Sequence, residues 1–476
     1  MKQITAFLGD DWAAPSGRPI PVLDKFSNEP IAELFETSPE KVDEAIARAQ
    51  SAFAGPPLPL HKQVEILRHV ALGIEARAAE LRDIICAESG QTLAEAAKEV
   101  ERAALTLRIT AEEATRLHEE MVPVGGMPGG AGKLGYLRRK PLGLVVAITA
   151  FNSPLNTPIH KIAPALAAGN SIVLKAPSLT PVSTTILCTL FAEAGLPPGW
   201  LTSVVGGGRT VGEQLLTDPR PAFYHFTGST QIGAHIAQTI GLRQSSLELG
   251  SIAATLVAAD ADPSAVSADI VRAGFAKAGQ VCTSTQIVYV ERAIAEDLTA
   301  RIVGLAKTMP AGDPRLPETK VGPMISEAEA RRVEDWIDEA RTTGAKILCG
   351  GTRDGSVVAP AVAIDAPDDA KLIQKELFGP VITVRVVEDL CDAVSHYNAL
   401  PYGLAVGVFT KELDKAFYAA ENLRAGTVHI NSASSSRLDA MPFGGVRDSG
   451  HGKEGPRYAI DEMTEQRFIL WHGVTG

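Results

Sequence analysis

Two short segments of the chain carry residues that could together perform covalent chemistry. Cys282 lies in residues 279–283 (GQVCT), and Glu248 lies in residues 247–250 (LELG). A cysteine sulfur can attack an electrophilic carbon, and a nearby carboxylate can deprotonate the water that later releases the acyl group. A Gly-flanked cysteine is by itself more often an unreactive, buried side chain. The chemical interpretation therefore depends on the rest of the chain.

Length, composition and charge limit the classes of function. The chain has 476 residues, enough for two or three domains, and 45% hydrophobic and 21% charged residues are typical of globular proteins. A formal charge of −11 disfavours nucleic acid or an anionic membrane as a partner. The chain has no apolar run of about 18 residues, and Asp10 and Asp11 lie where a signal peptide would be apolar. We expect a cytoplasmic protein.

The cysteines show no metal-binding or disulfide pattern. The chain contains no CxxC motif and no Cys/His cluster, so we predict neither a metal site nor a disulfide framework. This usage fits a reducing compartment. We assign no chemistry to four of the five cysteines, namely Cys86, Cys188, Cys349 and Cys391.

The order of predicted elements favours an α/β fold. Residues 40–118 carry helical periodicity rich in Ala, Glu and Arg. From Leu142 onward, predicted strands alternate with predicted helices, and such repetition indicates a parallel sheet, which binds nucleotides at the carboxyl ends of its strands. The strands are predicted at 144–149, 171–175, 201–205 and 223–227, and the helices at 158–168, at 182–193 and after Gly208.

One strand-to-helix junction has the composition of a phosphate site. Gly228 would let the backbone approach a diphosphate closely, and Ser229 can cap the helix that follows. The spacing from Gly228 to Gly233 is GxxxxG and not the common GxGxxG fingerprint. Taken alone, an ordinary capped turn explains this junction equally well.

Further segments follow one another in a fixed order around Cys282 and Glu248. They are residues 151–155 (FNSPL), 173–178 (VLKAPS), 226–233 (FTGSTQIG), 376–380 (ELFGP) and 441–445 (MPFGG). Together the motifs resemble the aldehyde dehydrogenase superfamily from about residue 20 to the C-terminus.

The resemblance implies a domain organisation and a reaction. It implies a Rossmann-type cofactor domain formed by residues 1–118 and 142–250, and an α/β catalytic domain at 251–448. Residues 119–141 and 449–476 would form a small β oligomerisation arm. The implied reaction is the NAD(P)-dependent oxidation of an aldehyde to a carboxylic acid.

The resemblance also assigns the catalytic roles. Cys282 would be the nucleophile, Asn152 would donate to the oxyanion together with the backbone N–H of Cys282, and Glu248 would activate the water that hydrolyses the thioester. A free thiol is only a few per cent ionised at neutral pH, so we expect the surroundings of Cys282 to favour its thiolate. Relatives that pass the acyl group to coenzyme A commonly lack this glutamate, so hydrolysis is favoured. Ser251 replaces a glycine found in many members, which affects how the loop of Glu248 can rotate.

The cofactor is predicted as NAD or NADP. In the family, the lysine at the position of Lys175 hydrogen-bonds the adenosine ribose. The ordinary alternative is a solvated lysine at the end of a strand. Many NAD-preferring members carry a glutamate where this chain has Ser178, and without that negative charge NADP is also admissible. The other cofactor residues implied by the resemblance are Gly206, Gly228, Ser229, Gly233, Glu376 and Phe378.

The predicted substrate is a short hydroxylated or anionic aldehyde. Residues 431–437 (NSASSSR) match a tunnel-lining loop next to Phe443, and their polarity disfavours a long aliphatic chain. A cationic cluster of Arg108, His160, Lys161 and Arg437 could hold a carboxylate, phosphate, phosphonate or sulfonate. The ordinary alternatives are a solvated Arg108 and a packed His160. The motifs look most like the lactaldehyde, phosphonoacetaldehyde, non-phosphorylating glyceraldehyde-3-phosphate and succinate semialdehyde dehydrogenases.

Two segments resemble the family's bridging strands, which pair with a neighbouring subunit. They are residues 135–140 and 466–471, and an isolated two-stranded arm is marginal in water, so we predict a homodimer or homotetramer. A catalytically silent binding or structural protein on the same scaffold is the alternative. The presence of Cys282, Glu248, Asn152 and Lys175 disfavours it.

Overall fold

The computed structural model describes residues 1–117 and 119–473. Residue 118, the last of the first predicted segment, and residues 474–476, the last of the predicted arm, lie outside the described residues. Among the helices of the described ranges, none combines the length and the apolar character needed to cross a membrane.

The first sheet has six strands and the connectivity of a doubly wound fold. Five strands are parallel, and a short antiparallel strand closes one edge. The strand order reverses between Leu144–Ile148 and Phe223–Thr227, so a crevice opens there at the carboxyl ends of the strands. In spatial order the strands are Gly450–His451, Gln244–Glu248, Phe223–Thr227, Leu144–Ile148, Ser171–Lys175 and Leu201–Val204. The predicted parallel sheet is confirmed.

Helices cover both faces of this sheet. Leu93–Ala114 starts with a capping box in which Thr92 and Glu95 satisfy each other's backbone N–H groups, and Ala96, Val100 and Leu107 lie on its buried face. The helices of this half are Pro39–Ala54, Leu60–Ala76, Ala78–Ser89, Leu93–Ala114, Asn156–Ala167, Val182–Glu193, Glu213–Thr217 and Thr230–Ile240, with a π-helical turn at Gly208–Gly212.

The second sheet has seven strands and carries the largest apolar core. All residues of Thr285–Glu291 are buried, as expected for a central strand covered on both faces. The spatial order is Lys346–Cys349, Ala361–Ile364, Val381–Val387, Thr285–Glu291, Ala253–Val257, Ala405–Phe409 and Thr427–Ile430, and only the first strand is antiparallel. Its helices are Pro263–Phe275, Arg292–Lys307, Glu327–Thr342, Lys371–Gln374, Leu390–Ala399 and Leu413–Asn422.

Smaller elements complete the fold. Glu120–Val122, Lys133–Pro141 and Thr464–His472 form an antiparallel three-stranded arm. Lys2–Ile4, Pro30–Leu34 and Ile20–Leu23 form an N-terminal sheet. The remaining elements are the hairpin Arg353–Asp354 with Val357–Val358, the helix Pro456–Glu462, and the 3₁₀ turns Val124–Gly126, Ala276–Gly279 and Arg447–Ser449.

Not all of the C-terminal segment belongs to the arm that is predicted at 449–476. Gly450–His451 pairs with Gln244–Glu248 in the first sheet. Ala459, Ile460 and Met463 are buried in the core beneath the first sheet. A two- or three-stranded arm could not bury these apolar side chains. Only Thr464–His472 joins the arm strands.

Candidate active site

A large cavity brings most of the predicted site residues together. Its volume is about 1130 Å³, above the roughly 300–1,000 Å³ of a pocket for one drug-sized ligand. The predicted residues that line it are Asn152, His160, Lys175, Ser178, Gly228, Ser229, Glu248, Cys282, Glu376, Phe378, Arg437 and Phe443. Gly206, Gly233, Arg108 and Lys161 are not among the lining residues.

Cys282 and Glu248 come from the two different sheets and meet in this cavity. Glu248 is the last residue of a first-sheet strand, and Cys282 precedes the second-sheet strand Thr285–Glu291. The two side chains lie close enough for each to shift the pKa of the other. The nucleophile and the base proposed from the sequence therefore line one cavity.

The surroundings of this pair favour the neutral thiol. Burial, and next the negative charge of Glu248, raise the pKa of the Cys282 thiol well above its usual value. Burial, and next the charge of Glu454, raise the pKa of Glu248 to about 7. This differs from the expectation of a stabilised thiolate, because the nearest charge to the sulfur is an anion. Thiolate formation requires the proton to leave Cys282, and Glu248 is in place to accept it.

Asn152 is positioned by contacts with the loop that carries Cys282. Its Nδ2 atom donates to the backbone carbonyl of Gln280 at 2.9 Å. An amide group carries two N–H donors. The second donor is available for an oxygen atom of a ligand in the cavity that Asn152 lines.

Lys277 fixes the backbone of Asn152 and was not identified from the sequence. Its Nζ atom donates to the Asn152 carbonyl at 2.9 Å, to Ser153 Oγ at 2.7 Å and to Glu99 Oε2 at 2.9 Å. Lys277 and Ala278 have φ of +50° and +55°, a left-handed turn that is strained for residues other than glycine. No sequence motif marks this lysine, because its partners come from distant segments.

A second residue missed by sequence reasoning, Glu454, organises the inner wall. Its Oε1 atom accepts from Lys161 Nζ at 3.0 Å and from Thr227 Oγ1 at 3.2 Å, and its Oε2 atom accepts from Arg437 Nη2 at 2.8 Å. Although burial opposes it, the charges of Lys161 and Arg437 hold the pKa of Glu454 well below its usual value. Lys161 is fully buried, pairs with Glu454 and is not among the residues that line the cavity. This corrects its predicted role in substrate binding.

Arg437 reaches the cavity with part of its guanidinium uncommitted. The guanidinium lies 4.0 Å from the centre of the Phe443 ring. Among the described residues, its buried Nε atom has no hydrogen-bond partner. Stacking and the ion pair with Glu454 fix its orientation, as in sites that bind planar anions.

Asp439 holds a neighbouring pair of basic residues. Arg102 donates to it through Nε at 3.0 Å and Nη2 at 2.7 Å, and His160 Nε2 lies 3.1 Å from Oδ1. Burial, and next the charge of Arg437, lower the pKa of His160, so the imidazole is neutral near pH 7. Arg102 lines the cavity and supplies a positive charge there that the sequence did not predict.

Arg108 does not belong to the predicted cationic cluster. Its side chain is 44% exposed and pairs with Glu75 at 2.6 Å. It lies six positions after Arg102 on the same helix, which places its side chain roughly 120° around the helix axis from Arg102 at 3.6 residues per turn. The predicted alternative, a solvated surface arginine, describes its environment.

The opposite end of the cavity contains a buried ammonium without a partner. Lys175 is 8% exposed, and its ammonium makes no hydrogen bond or ion pair within the described ranges. Burial lowers the pKa of Lys175 to about 8, although the charge of Glu36 opposes the shift. A buried cation of this kind calls for an acceptor from a ligand. The Ser178 hydroxyl donates to the Gly206 carbonyl at 2.7 Å and closes this end.

The glycines near this end act through close packing. A Cβ atom on Gly228 would lie 2.4 Å from the Phe226 ring, so only glycine allows this approach to the cavity. Gly233 packs against Leu249 and Gly206 against Val211, with would-be Cβ contacts of 2.3 Å and 2.6 Å. Both support the wall from behind.

The helix that follows Gly228 is capped by Ser229, whose side chain accepts from the N–H of Ile232 at 3.4 Å. Ser229 and Ile232 line the cavity, so the N-terminus of this helix lies at its wall. Together with the unpartnered Lys175, this donor set fits a dinucleotide phosphate and ribose.

Glu376 and Phe378 approach from the second-sheet half. Glu376 accepts from the N–H of Ser251 at 2.9 Å, and burial raises the pKa of Glu376 to about 7. Phe378 has φ of +52° and packs edge-to-face on Phe151, with ring centres 5.9 Å apart. The Ser251 backbone thus ties the Glu248 loop to Glu376.

Comparisons with known proteins agree in family and fold. The model of the aldehyde dehydrogenase family matches residues 12–469. A 3-sulfolactaldehyde dehydrogenase of Priestia aryabhattai is 40% identical over 470 residues, covering 99% of this chain and 98% of that protein.

Two solved structures share the architecture. The NADP-dependent glyceraldehyde-3-phosphate dehydrogenase of Bacillus halodurans C-125, complexed with NADP, superposes with a TM-score of 0.96 at 32% identity, covering 99% of this chain and 100% of that one. Aldehyde dehydrogenase 21 of Physcomitrella patens, in complex with the reaction product succinate, gives a TM-score of 0.95 at 32% identity and covers 99% of both chains.

Proposed function

Because the chain belongs to the aldehyde dehydrogenase family, we propose that it oxidises a short anionic aldehyde to the carboxylic acid through a Cys282 thioester that Glu248 helps to hydrolyse. The chain is an NAD(P)-dependent oxidoreductase, as its motifs predicted. The observation that carries the mechanism is that Cys282, Glu248 and Arg437 line one cavity, with the thiol and the carboxylate close enough to shift each other's pKa.

The first half of the reaction uses three side chains. Cys282 attacks the aldehyde carbon, and its proton passes to ionised Glu248 as the carbon–sulfur bond forms. The second N–H of Asn152 and the backbone N–H of Cys282 stabilise the resulting oxyanion. Bound NAD or NADP supplies the acceptor for the hydride that leaves this carbon. The acyl group then remains on Cys282 as a thioester.

The second half needs Glu248 as a base for water. Glu248 must first release the thiol proton and then accept a proton from the attacking water. A pKa of about 7 makes both transfers accessible near neutral pH. The contact of Glu248 with Cys282 supports hydrolysis over transfer to coenzyme A and disfavours a silent binding protein.

The charge balance of the inner wall supports an anionic substrate. Three cations, Arg102, Lys161 and Arg437, face two carboxylates, Asp439 and Glu454. Arg437 lines the cavity with its side chain 21% exposed, so its guanidinium is the group that would bind a sulfonate or carboxylate. The names of two similar proteins point the same way, since one acts on 3-sulfolactaldehyde and the other binds succinate.

Hydroxyl groups in the same wall support a short, hydroxylated substrate. Thr283 Oγ1 donates to Ser435 Oγ at 3.2 Å, and both residues line the cavity next to Cys282. Such groups bind a substrate hydroxyl but offer little to an alkyl chain. We therefore place 3-sulfolactaldehyde, lactaldehyde and succinate semialdehyde among the preferred aldehydes.

A substrate panel tests the proposal. Reduced cofactor is followed by absorbance with NAD or NADP and, in turn, 3-sulfolactaldehyde, lactaldehyde, succinate semialdehyde, phosphonoacetaldehyde and hexanal. We expect the highest kcat/KM with a short anionic aldehyde and no signal from Cys282→Ala. A clear preference for hexanal would refute the substrate assignment, and an active Cys282→Ala variant would refute the mechanism.

We also propose a homodimer or homotetramer that works in the cytoplasm. Thr427–Ile430 and Thr464–His472 are edge strands of the second sheet and of the arm. Phe468 and Trp471 on the arm are 47% and 55% exposed, and exposed edges of this kind are normally covered. The five free cysteines support a reducing compartment. A light-scattering mass of one chain at micromolar concentration would contradict the assembly.

A further inference from the structure

We propose that the short turn Arg447–Ser449 positions Glu248 for hydrolysis of the thioester, with Ser449 fixing the backbone beside Glu248 and Arg447 anchoring the turn. The inference rests on the proposed function, because it takes Glu248 as the base for water. Neither Arg447 nor Ser449 is among the residues that line the cavity. Both are therefore positioning residues, which act on the reaction through Glu248.

The carboxylate of Glu248 depends on its backbone for orientation. Glu248 is the last residue of the strand Gln244–Glu248 and lines the cavity. Among the described residues, its buried Oε1 atom has no hydrogen-bond partner. A catalytic group has to be held within about 0.5 Å of its productive position. The backbone of residues 248–251 must therefore supply much of that restraint.

Ser449 holds this backbone at two successive residues. Its carbonyl accepts from the Leu249 N–H at 3.2 Å, and its hydroxyl donates to the Gly250 carbonyl at 2.7 Å. The same hydroxyl accepts from the Gly403 N–H at 3.0 Å, just before the second-sheet strand Ala405–Phe409. Ser449 is fully buried. One hydroxyl group thus joins the residues that follow the base to the second-sheet half of the protein.

Two glycines bring the turn and the Glu248 segment into close contact. Gly450 pairs with Glu248 at the edge of the first sheet, and a Cβ atom on Gly450 would lie 1.9 Å from the Leu247 carbonyl oxygen. A Cβ atom on Gly250 would lie 2.7 Å from Glu376 Oε2. Closely packed segments transmit small displacements to each other. A shift of the turn must therefore shift the residues beside Glu248.

Arg447 anchors the turn to the second-sheet half. Its two Nη atoms donate to four backbone carbonyls, those of Asn398 at 3.0 Å, Arg424 at 3.1 Å, Leu400 and Tyr402. Arg447 also has φ of +57°, a left-handed conformation that is strained for a residue other than glycine. Such strain persists only where the surroundings enforce it, and it is frequent at functional sites.

The turn has a third link, to the helix Thr230–Ile240. Thr230 Oγ1 donates to the Asp448 carbonyl at 2.9 Å. By contrast, the turn makes no hydrogen bond to Cys282 or Asn152 within the described ranges. We therefore expect a change in the turn to affect the attack of water more than formation of the thioester.

An activated ester tests the proposal on the full chain without a cofactor. The compound p-nitrophenyl acetate acylates a thiol directly, so the burst of nitrophenol reports acylation of Cys282 and the steady release reports hydrolysis of the thioester. Ser449→Ala should slow hydrolysis by about 10-fold or more, since a misplacement of about 1 Å can cost on the order of 10²-fold. The acylation burst should change much less.

Ser356→Ala is the matched control. Ser356 is also a buried serine whose hydroxyl donates to a backbone carbonyl at 2.7 Å, that of Lys25, and it is not among the cavity-lining residues. Its loss should leave both rates near their original values. Arg447→Met should slow hydrolysis in the same sense as Ser449→Ala. Arg447→Lys keeps a cation with three donors and should recover part of the rate.

The outcomes separate this inference from the proposed function. Hydrolysis at the original rate in Ser449→Ala, or equal slowing of acylation and hydrolysis, would overturn the role of the turn. Slowing of the same size in Ser356→Ala would overturn it too. If Ser449→Ala does not fold, Arg447→Met is judged by the same two criteria.

The unchanged chain is also assayed for aldehyde oxidation with NAD or NADP. Selective slowing of ester hydrolysis by Ser449→Ala, in a chain that oxidises no aldehyde, would support the turn while sinking the proposed oxidation. Aldehyde oxidation together with unaltered hydrolysis in Ser449→Ala would do the reverse. Absence of both activities from the unchanged chain would overturn both proposals.

Discussion

The Glu248 carboxylate lies close enough to the Cys282 thiol for each group to shift the pKa of the other. Burial and the Glu248 charge both keep the thiol neutral, because they disfavour a second anion. In the mechanism that we propose, the base for the second half of the reaction is therefore also the group that opposes ionisation of the nucleophile. This coupling gives the pair a distinctive response to substitution.

Glu248→Gln should lower the pKa of the Cys282 thiol and slow hydrolysis of the thioester. Removing the carboxylate removes a negative charge that raises the pKa of the thiol. Stopped-flow absorbance should show one burst of reduced cofactor per subunit and then steady turnover slowed by about 10²-fold or more, the usual contribution of a general base. The thiol pKa can be followed from the pH dependence of inactivation by iodoacetamide. A Cys391→Ser background removes the exposed cysteine. Undiminished steady turnover would contradict the role of Glu248.

The pH profile of turnover should have a midpoint set by the pKa of Glu248. Substituting its two charged neighbours should move that midpoint in opposite directions. Hydrolysis needs the ionised carboxylate, so its rate should rise with pH and level off above about 7. Glu454 raises the pKa of Glu248, whereas Arg437 lowers it. Glu454→Gln should therefore move the midpoint to lower pH, and Arg437→Met should move it to higher pH. Shifts in the same direction would show that the midpoint belongs to another group.

Glu454→Gln should also destabilise the fold. The carboxylate is 3% exposed and pairs with the fully buried Lys161, so its loss leaves that ammonium uncompensated. Breaking such a pair costs about 3–5 kcal/mol, measurable as a lower urea midpoint. Glu65→Gln removes the exposed pair with Lys62 and should change the midpoint much less. Equal shifts for both variants would argue against a structural role of the buried pair.

The sequence predicted the elements whose signals are local. The strand Ser171–Lys175 is a run of buried residues, and Ser229 caps its helix through a contact three residues away. The pair Lys161–Glu454 joins residues 293 positions apart, and no local pattern announces it. The sequence predicts the helix that carries Arg108, but not which face of that helix borders the cavity. Packing against the rest of the protein decides this, and it places Arg102 at the cavity instead. The high pKa of the Cys282 thiol likewise depends on burial, which the motif does not specify.

Lys277→Met should slow formation of the thioester by releasing Asn152. The lysine makes hydrogen bonds to the Asn152 carbonyl, to Ser153 and to Glu99, and all three are lost in the variant. Because the proposed role of Asn152 is to donate to the oxyanion, we expect the burst rate to fall by about 10- to 100-fold, below the full effect of losing one donor. The rate of thioester hydrolysis should change less. Lys277→Arg, which keeps the charge, should recover part of the burst rate. An unchanged burst would show that Asn152 holds its position without Lys277.

Arg437→Met and Arg108→Met form a matched pair for the anionic substrate. Arg437 lines the cavity beside Phe443, whereas Arg108 pairs with Glu75 on the outer surface. Loss of a charged hydrogen bond costs about 1.5–3 kcal/mol, so Arg437→Met should raise the KM for 3-sulfolactaldehyde by roughly 10- to 100-fold. The KM for uncharged lactaldehyde should change much less, and Arg108→Met should leave both constants near their original values. If Arg437→Met affected the two aldehydes equally, Arg437 would be supporting the wall through Glu454 and Phe443. If Arg108→Met alone raised the KM for the anion, the anion would bind on the outer side of the helix Leu93–Ala114, and the inner-wall assignment would fail.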